Sequence, residues 1–227
     1  MAIGTQIRTT QKKASMRNRP CYYRQGNLMK RVNIMWLLAL VGALGCGGIP
    51  PTYYYRVDYT AAASDNGTRL PVSLGVAQFD ADVLYESDKI VYRQSPYEAQ
   101  FYHYRRWVAP PRKIVTEKVL RHYQRSGTFE RVVRSPSNQK IDYLLKGNIL
   151  AFEEWDQSES WSGIVTLEFA LHDTETNDIV WEKVLSEKTA VSEKKPVEVV
   201  RAISESLNRV IATSLHEVEQ YLTSAGQ

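Results

Sequence analysis

The segment from Val165 to His172 constrains the fold more than any other part of the sequence, because two kinds of residue alternate along it. Val165, Leu167, Phe169 and Leu171 alternate with Thr166, Glu168, Ala170 and His172. This pattern is typical of a strand in a sheet with one face on the core and one face toward solvent. The apolar face has to be covered, so the fold needs a second layer.

A long amphipathic helix near the C-terminus is predicted to supply that layer. Pro196 suits the first turn of a helix, and apolar or small residues recur after it at helical spacing. This stripe consists of Val199, Ile203, Leu207, Val210, Ser214, Val218 and either Tyr221 or Leu222. Charged residues such as Glu205 and Arg209 fall on the other side, so we expect the stripe to face the sheet.

The other patterns predict an α/β (α+β) fold. A first helix should begin at Pro110-Pro111 and end at Gly127, with Val115, Val119 and Tyr123 on one face. Strands are predicted at Tyr53–Tyr59, Val72–Phe79, Lys89–Arg93, Gln100–Trp107, Phe129–Val133, Leu144–Phe152, Ile164–Leu171 and Ile179–Leu185, the last two forming a hairpin. We therefore expect a single mixed β-sheet with two helices packed on one face.

An apolar run from Ile34 to Leu44 predicts a signal peptide, although it lies well inside the chain. The run is shorter than the roughly 20 apolar residues that cross a bilayer. Lys30 and Arg31 precede it and small residues follow it, as in a secretory signal. We expect residues 29–45 to be this signal, which makes residues 1–28 a non-native or mis-called extension. The alternative is that residues 1–28 are a genuine basic extension.

The segment Ala43-Leu44-Gly45-Cys46 resembles the lipobox of bacterial lipoproteins. The resemblance implies that Cys46 becomes the lipid-modified N-terminus, and several acyl chains anchor a protein far more firmly than the single chain that gives reversible binding. Gly47, and not aspartate, follows the cysteine. By resemblance to the sorting rule of bacteria with two membranes, this implies the periplasmic face of the outer membrane. Residues 46–52 would form a lipidated tether.

Charge argues against a nucleic-acid partner. The chain has 29 basic and 25 acidic residues, but eight basic residues and no acidic ones fall within residues 1–45. Without that leader the chain has 21 basic and 25 acidic residues, a net charge of −4. A nucleic-acid-binding domain needs a basic patch or stripe. Cys21 lies in the leader and Cys46 would be lipidated, so we expect no disulfide.

Motifs for catalysis and cofactor binding are sparse. The sequence has neither the glycine-rich phosphate loop that ends in Gly-Lys nor the Gly-x-Ser-x-Gly elbow. The histidines lack metal-ligand spacing and are expected to be structural or solvent-facing; they are His103, His122, His172 and His216. We therefore expect no enzyme activity, no metal site and no cofactor.

An acidic group follows the strand that is predicted to end at Phe152. It comprises Glu153, Glu154, Asp156 and Glu159, with serines nearby. We expect a solvated loop at this position, and an acid–base pair is the alternative.

Aromatic and arginine residues interleave between Lys89 and Pro111 in the sequence KIVYRQSPYEAQFYHYRRWVAPP. Large amphipathic side chains of this kind are enriched in interface cores. One hypothesis is that the segment forms a partner-binding surface; the candidate residues are Tyr92, Arg93, Tyr97, Tyr104, Arg106 and Trp107. The other is that about half of the aromatic residues pack beneath the C-terminal helix while the arginines extend to solvent.

The order of motifs resembles the family of ABC-type transport auxiliary lipoproteins. The resemblance rests on Ile90 to Arg93, Ser95 to Glu98 and Tyr102 to Pro111, and it continues through Asp142 to Gly147 and Val180-Trp181. It implies an auxiliary lipoprotein domain over residues 53–224 with a fold like the N-terminal domain of TolB. It also implies a non-catalytic outer-membrane component of a lipid-transport system, with a mammalian-cell-entry (MCE) domain protein, an ABC permease and an ATPase as partners.

Other functions stay open at this point. A lipoprotein with a TolB-like domain can also activate a peptidoglycan synthase or assist outer-membrane assembly, and an envelope hydrolase is the enzyme alternative. Assembly into a homo-oligomer that matches a multimeric conduit is a further expectation. The sequence identifies neither the lipid nor the direction of transport.

Overall fold

The computed structural model describes residues 50–60, 69–157 and 159–225. The predicted extension, the signal peptide, Cys46 and most of the tether lie outside these residues. Within the described residues, the chain forms a nine-stranded mixed sheet and two α-helices, which confirms the predicted fold class. The likeness to TolB stays a prediction.

One long strand, β7 (Tyr143–Gln157), organises the sheet. Along one edge it pairs over its whole length with the antiparallel strand β8 (Ser160–Asp173), which pairs in turn with β9 (Ile179–Ala190). These three strands form a meander whose last hairpin turns at Asn177, a residue with φ of 63°. Asn tolerates this left-handed conformation better than most residues, and the predicted hairpin is confirmed.

The other edge of β7 pairs with three separate strands, each parallel to it. Strand β2 (Leu70–Val76) pairs near the start of β7, β3 (Asp80–Ala81) pairs in the middle, and β4 (Lys89–Ser95) pairs near the end. A short 3-10 helix (Val83–Tyr85) lies between β3 and β4. Strand β3 and this helix are absent from the sequence prediction because two or three residues carry no periodicity.

The remaining strands add to β2 on one side of the sheet and to β4 on the other. Strand β6 (Phe129–Arg134) adds to β2, and β5 (Glu98–Trp107) forms a hairpin with β4. Strand β1 (Tyr53–Tyr55) pairs parallel with β5 and lies at the edge of the sheet, beside the β4–β5 hairpin. The sequence prediction extended β1 to Tyr59, but only its first three residues are paired in the sheet.

Two helices cover the sheet. Helix α1 (Pro111–Ser126) begins at a proline and ends at Gly127, whose φ of 69° is the left-handed conformation that glycine adopts most readily. Helix α2 (Pro196–Ala225) buries the predicted stripe, and Leu222 rather than Tyr221 completes it. The helices meet where the Tyr123 hydroxyl lies 3.1 Å from Ser214 Oγ, so both predicted helices are confirmed.

Close approach between α2 and β8 depends on Gly163. A Cβ added to Gly163 would lie 2.5 Å from the backbone nitrogen of Ile203 and 2.8 Å from the carbonyl carbon of Ala202. The Ser206 hydroxyl donates a hydrogen bond of 3.1 Å to the Gly163 carbonyl oxygen. The helix therefore sits on the backbone of β8, and Val165, Leu167, Phe169 and Leu171 fill the core beside this contact. The alternation that predicted a buried face is confirmed.

Candidate partner-binding surface

The hairpin of β4 and β5 carries the six candidate residues and contains a large irregularity. Lys89 pairs with Arg106 and Val91 pairs with Phe101, so five residue steps of β5 oppose two of β4. A bulge of this kind bends the strand and changes the direction of its side chains. Simple alternation along Phe101 to Trp107 therefore does not tell which residues are exposed.

The structure divides the six candidates among three environments. Tyr97 forms part of the turn and is 97% exposed, and Tyr104 near the far end of β5 is 43% exposed. Tyr92, Arg93 and Arg106 are half-buried. Six residues of β5 lie between Tyr97 and Tyr104, which allows a span of up to roughly 23 Å at about 3.3 Å per residue. The exposed candidates therefore form two sites and not one patch.

Trp107 is a core residue, which corrects its assignment to the candidate surface. Its side chain is 1% exposed, and its ring centroid lies 5.1 Å from that of Phe152 on β7. Its backbone N–H donates a hydrogen bond of 2.7 Å to the carbonyl oxygen of Asp88. Because Trp107 follows the bulge, it points into the core where a surface position was predicted, and it makes no direct contact with a partner in this conformation.

Two further tyrosines extend the exposed end of β5. In the β1–β5 register, Tyr53 pairs with Arg105 and Tyr54 pairs with Arg106, and these tyrosines are 57% and 64% exposed. Arg106 is held by an ion pair of 2.8 Å with Asp88. We call Tyr53, Tyr54, Tyr104 and Arg106 the aromatic edge. Sequence analysis assigned Tyr53 and Tyr54 to a strand but missed their place here, because parallel pairing with a distant strand leaves no local signal.

An aromatic network links the hairpin to Glu154. The rings of Tyr92 and Tyr102 lie 4.9 Å apart, and the Arg105 guanidinium lies 5.1 Å from the Tyr102 ring centroid. The Tyr102 hydroxyl donates a hydrogen bond of 2.8 Å to Glu154 Oε2, and the Tyr92 hydroxyl donates to Gln100 Oε1. Tyr92 therefore supports the hairpin from within and contributes little exposed area.

Arg93 takes part in a second buried network around Glu153. Its Nε lies 3.3 Å from Glu153 Oε1, and the Tyr85 hydroxyl donates a hydrogen bond of 2.5 Å to Glu153 Oε2. The Arg93 guanidinium also lies 5.3 Å from the ring centroid of Trp155. Arg93 thus compensates a buried carboxylate. This role leaves less of the Arg93 side chain available to contact a partner.

The acidic group is not the solvated loop that sequence analysis expected. Glu153 and Glu154 lie within β7 and are 3% and 1% exposed, because pairing with β4 extends the strand beyond Phe152. Burial raises the pKa of Glu154 to about 7, with Asp156 adding to the rise, whereas the hydrogen bond from Tyr102 and the charge of Arg105 oppose it. Burial also raises the pKa of Glu153, whereas the hydrogen bond from Tyr85 and the charge of Arg93 lower it.

The buried carboxylates form no recognisable metal site. Adjacent strand residues point to opposite faces of a sheet, and the partners of Glu153 and Glu154 are separate. Within residues 50–60, 69–157 and 159–225, no group of three or more His, Cys, Asp or Glu side chains could hold a metal ion. In the same ranges, none of the helices combines the length and apolar character that a bilayer span requires.

A family model for the ABC-type transport auxiliary lipoprotein component matches residues 56–213. The chain belongs to this family. The match covers more than half of the 227 residues and includes β2 to β9, α1 and most of α2. As an ABC-type transport auxiliary lipoprotein, the chain falls in a class of envelope lipoproteins whose partner is an ABC-type system. No curated protein sequence matches it.

Two solved structures of other proteins share the fold. Protein XCC0632 from Xanthomonas campestris is 20% identical with a TM-score of 0.70, and the alignment covers 77% of this chain and 99% of that one. An uncharacterized protein is 12% identical with a TM-score of 0.59, covering 74% and 99% of the two chains. PelC from Paraburkholderia phytofirmans, a dodecamer, is 14% identical with a TM-score of 0.44, covering 66% and 92%. That likeness is too remote to bear on assembly here.

The burial of Trp107 generates a stability prediction. Trp107→Ala should lower the free energy of unfolding by roughly 3–5 kcal/mol, because it leaves a cavity against Phe152. Tyr104→Ala, on the same strand, should change it by only about 0.5 kcal/mol, as is usual for surface positions. Urea unfolding of the purified full chain measures both values. Equal effects of the two substitutions would contradict the placement of Trp107.

The raised pKa of Glu154 generates a pH prediction. A carboxyl whose pKa is higher in the folded than in the unfolded state stabilises the fold at low pH and loses that contribution as pH rises. Stability should therefore fall between about pH 4.5 and pH 7. Glu154→Gln keeps an acceptor for Tyr102 and should remove about 1–3 kcal/mol of this fall.

Urea midpoints of the wild type and of Glu154→Gln at pH 5 and pH 7.5 measure how much of the fall in stability this carboxyl causes. Glu159→Gln, at an exposed acidic position, is the matched control and should leave the slope unchanged. Part of the slope should survive in Glu154→Gln, because Glu153 shifts in the same direction. An identical slope in the wild type and Glu154→Gln would disprove the assigned role of this carboxyl.

Proposed function

We propose that this chain is an outer-membrane lipoprotein of an MCE-type lipid-transport system with an ABC permease and an ATPase. In this proposal it docks the periplasmic conduit at the outer membrane and catalyses no reaction itself. The observation that carries the proposal is the family match across residues 56–213, which names an auxiliary lipoprotein of ABC-type transport. The lipobox-like segment before Cys46 supports the anchor.

The position of the aromatic edge supports a docking role close to the membrane. Six residues lie between Cys46 and Tyr53, the first residue of β1, so seven Cα–Cα steps join them. A chain of that length spans at most about 25 Å when fully extended. If Cys46 carries the lipid, β1 and the neighbouring end of β5 have to lie within that distance of the membrane surface. A conduit that ends at the outer membrane would meet this edge.

The chemistry of the aromatic edge suits a protein partner. Tyrosine and arginine are enriched at interface hot spots, and both occur here in exposed or half-exposed positions. Among the described strands, β1 lies at the end of the strand order and pairs on one side only, and an edge strand of this kind can pair with a strand of another chain. Tyr97 at the opposite end of the hairpin would provide a separate contact.

Affinity purification tests the proposal directly. The tagged full chain is extracted gently from native envelopes, and co-purifying proteins are identified by mass spectrometry. We expect an MCE-domain protein with its permease and ATPase. Tyr104→Ala and Arg106→Ala should each lower the recovery of these partners severalfold, since hot-spot truncations cost roughly 2 kcal/mol or more. The abundance of the folded chain should not change.

Matched controls separate docking from general surface effects. Val184→Ala on β9 and Arg201→Ala on α2 change exposed residues of similar character away from the aromatic edge, and neither should alter recovery. Recovery of a peptidoglycan synthase in place of the transport proteins would overturn the proposal. Full recovery with both edge variants would refute the aromatic edge as the docking site.

A further inference from the structure

A small cavity lies between α1 and the segment that follows β1. It has a volume of about 140 Å³ and is lined by Asp58, Tyr59, Lys118, Arg121, His122 and Arg125. The segment that carries Tyr59 is fixed to α2, because the backbone N–H of Asp58 donates a hydrogen bond of 3.2 Å to Ser204 Oγ. The walls of the cavity therefore belong to well-packed parts of the fold.

Helical spacing brings four basic or titratable side chains to one wall. Lys118, Arg121, His122 and Arg125 occupy positions i, i+3, i+4 and i+7 of α1. Residues three and four apart on a helix are neighbours on its surface. Like charges at this spacing repel each other, so the arrangement costs stability unless an anion compensates it.

The carboxylates near the cavity do not balance these cations. Arg125 forms no salt bridge with any residue in the described ranges. Lys118 lies 4.5 Å from the ring centroid of Tyr59 and interacts electrostatically with Asp58 without forming a salt bridge in those ranges. Asp58 is the one carboxylate in the lining, and its Oδ2 already lies 3.5 Å from Arg56.

Arg121 does have a carboxylate partner, but it shares that partner. Its Nε donates a hydrogen bond of 2.6 Å to Glu117, which also accepts from Arg134. The lining residues alone therefore contribute three full positive charges and one negative charge.

Two buried polar atoms at the cavity lack hydrogen-bond partners. Tyr59 Oη and His122 Nδ1 are inaccessible to solvent and have no partner among the described residues. The His122 side chain belongs to a residue that is only 4% exposed, and its ring centroid lies 6.1 Å from that of Tyr59. Burial raises the pKa of Tyr59 and lowers that of His122, so the tyrosine stays a protonated donor and the histidine is neutral at pH 7.

Packing alone does not explain why these two polar atoms are buried without hydrogen-bond partners. A buried donor or acceptor without a partner costs about 1–3 kcal/mol, and such groups are rare in folded proteins. The sequence predicts that His122 is structural or solvent-facing, and its burial agrees with the first of these. Its unpaired nitrogen lies beside an unpaired hydroxyl and an excess of positive charge, and the described residues provide a hydrogen-bond partner for neither atom.

We propose that this cavity binds a phosphate group, with Lys118, Arg121 and Arg125 compensating its charge. Tyr59 Oη and His122 Nδ1 are buried in its wall, and a small shift of their side chains opens them to the cavity, where they donate hydrogen bonds to the phosphate oxygens. The size agrees, because the cavity is smaller than the roughly 300–1,000 Å³ of pockets for drug-sized ligands. Arginine and lysine are the usual partners of phosphate oxygens. This site does not depend on the partner proposed above.

An adjacent groove makes it possible to distinguish two sources of the phosphate group by experiment. It has a volume of about 390 Å³ and shares Asp58, Lys118 and Arg121 with the cavity. Its other lining residues include the apolar Val57, Val108 and Ile114, of which Val108 is 58% exposed. A phospholipid could place its headgroup phosphate in the cavity and apolar atoms in the groove, whereas a free phosphate would use the cavity alone.

Calorimetric titration of the detergent-purified full chain with inorganic phosphate tests the site. We expect saturable binding with one site per chain. Lys118→Met keeps the aliphatic stem over Tyr59 but removes the charge, and Tyr59→Phe removes only the hydroxyl. Each should weaken binding roughly tenfold, as expected for loss of one charge-assisted hydrogen bond.

Lys113→Met is the matched control, since Lys113 is exposed on α1 and does not line the cavity. It should bind phosphate like the wild type, and thermal unfolding should show all variants to be folded. Absence of saturable binding in the wild type would overturn the proposal. Weakening by Lys113→Met as large as that by the two cavity variants would also overturn it, because nonspecific charge attraction would then explain the binding.

Titration with dihexanoyl phosphatidic acid, below its micelle concentration, separates the two sources. Tighter binding than inorganic phosphate, with the gain reduced by Val108→Asp, assigns the site to a lipid headgroup. Equal or weaker binding assigns it to a free phosphate-class anion. In either case Tyr59→Phe must weaken binding of both ligands, and unchanged affinity for both in this variant would contradict the assigned donor.

Discussion

The pairing of a single edge of β7 with three parallel strands is the constraint on which the rest of the structure depends. Leu144, Ile149 and Glu154 lie in the regions of β7 that pair with β2, β3 and β4, while β8 fills the opposite edge throughout. A bulge at Leu150, opposite β8, falls between the β3 and β4 regions. Because a bulge bends its strand, β7 changes direction between the part that pairs with β2 and β3 and the part that pairs with β4.

The same constraint explains why the most polar part of the interior lies at the β4–β7 junction. Glu153 and Glu154 are drawn into the sheet by backbone pairing with Val91 and Tyr92, so their carboxylates need partners inside. Tyr85 and Arg93 serve one carboxylate, and Tyr102 serves the other. Such networks stabilise a unique arrangement when satisfied and are costly when partly broken. The orientation of the hairpin, and with it the aromatic edge, therefore depends on buried groups behind it.

Much of the fold could be predicted from the sequence because its main signals are local. The alternation along β8, the stripe of α2 and the proline and glycine at the ends of α1 each act within a few residues of chain. The errors concern long-range pairing. Trp107 is buried because a bulge precedes it, and Glu153 and Glu154 are buried because β4 extends β7. Tyr53 joins Tyr104 only through the β1–β5 register, and no local pattern specifies that register.

Contact between the aromatic edge and a transport partner at the membrane can be tested by site-specific photocrosslinking in living cells. A photoreactive phenylalanine analogue replaces Tyr104 in one strain and Val184 in another, both exposed in the isolated chain. We expect a crosslink from position 104 to an MCE-domain protein and none from position 184. Crosslinks from position 104 to lipid alone, or equal protein crosslinks from both positions, would contradict it.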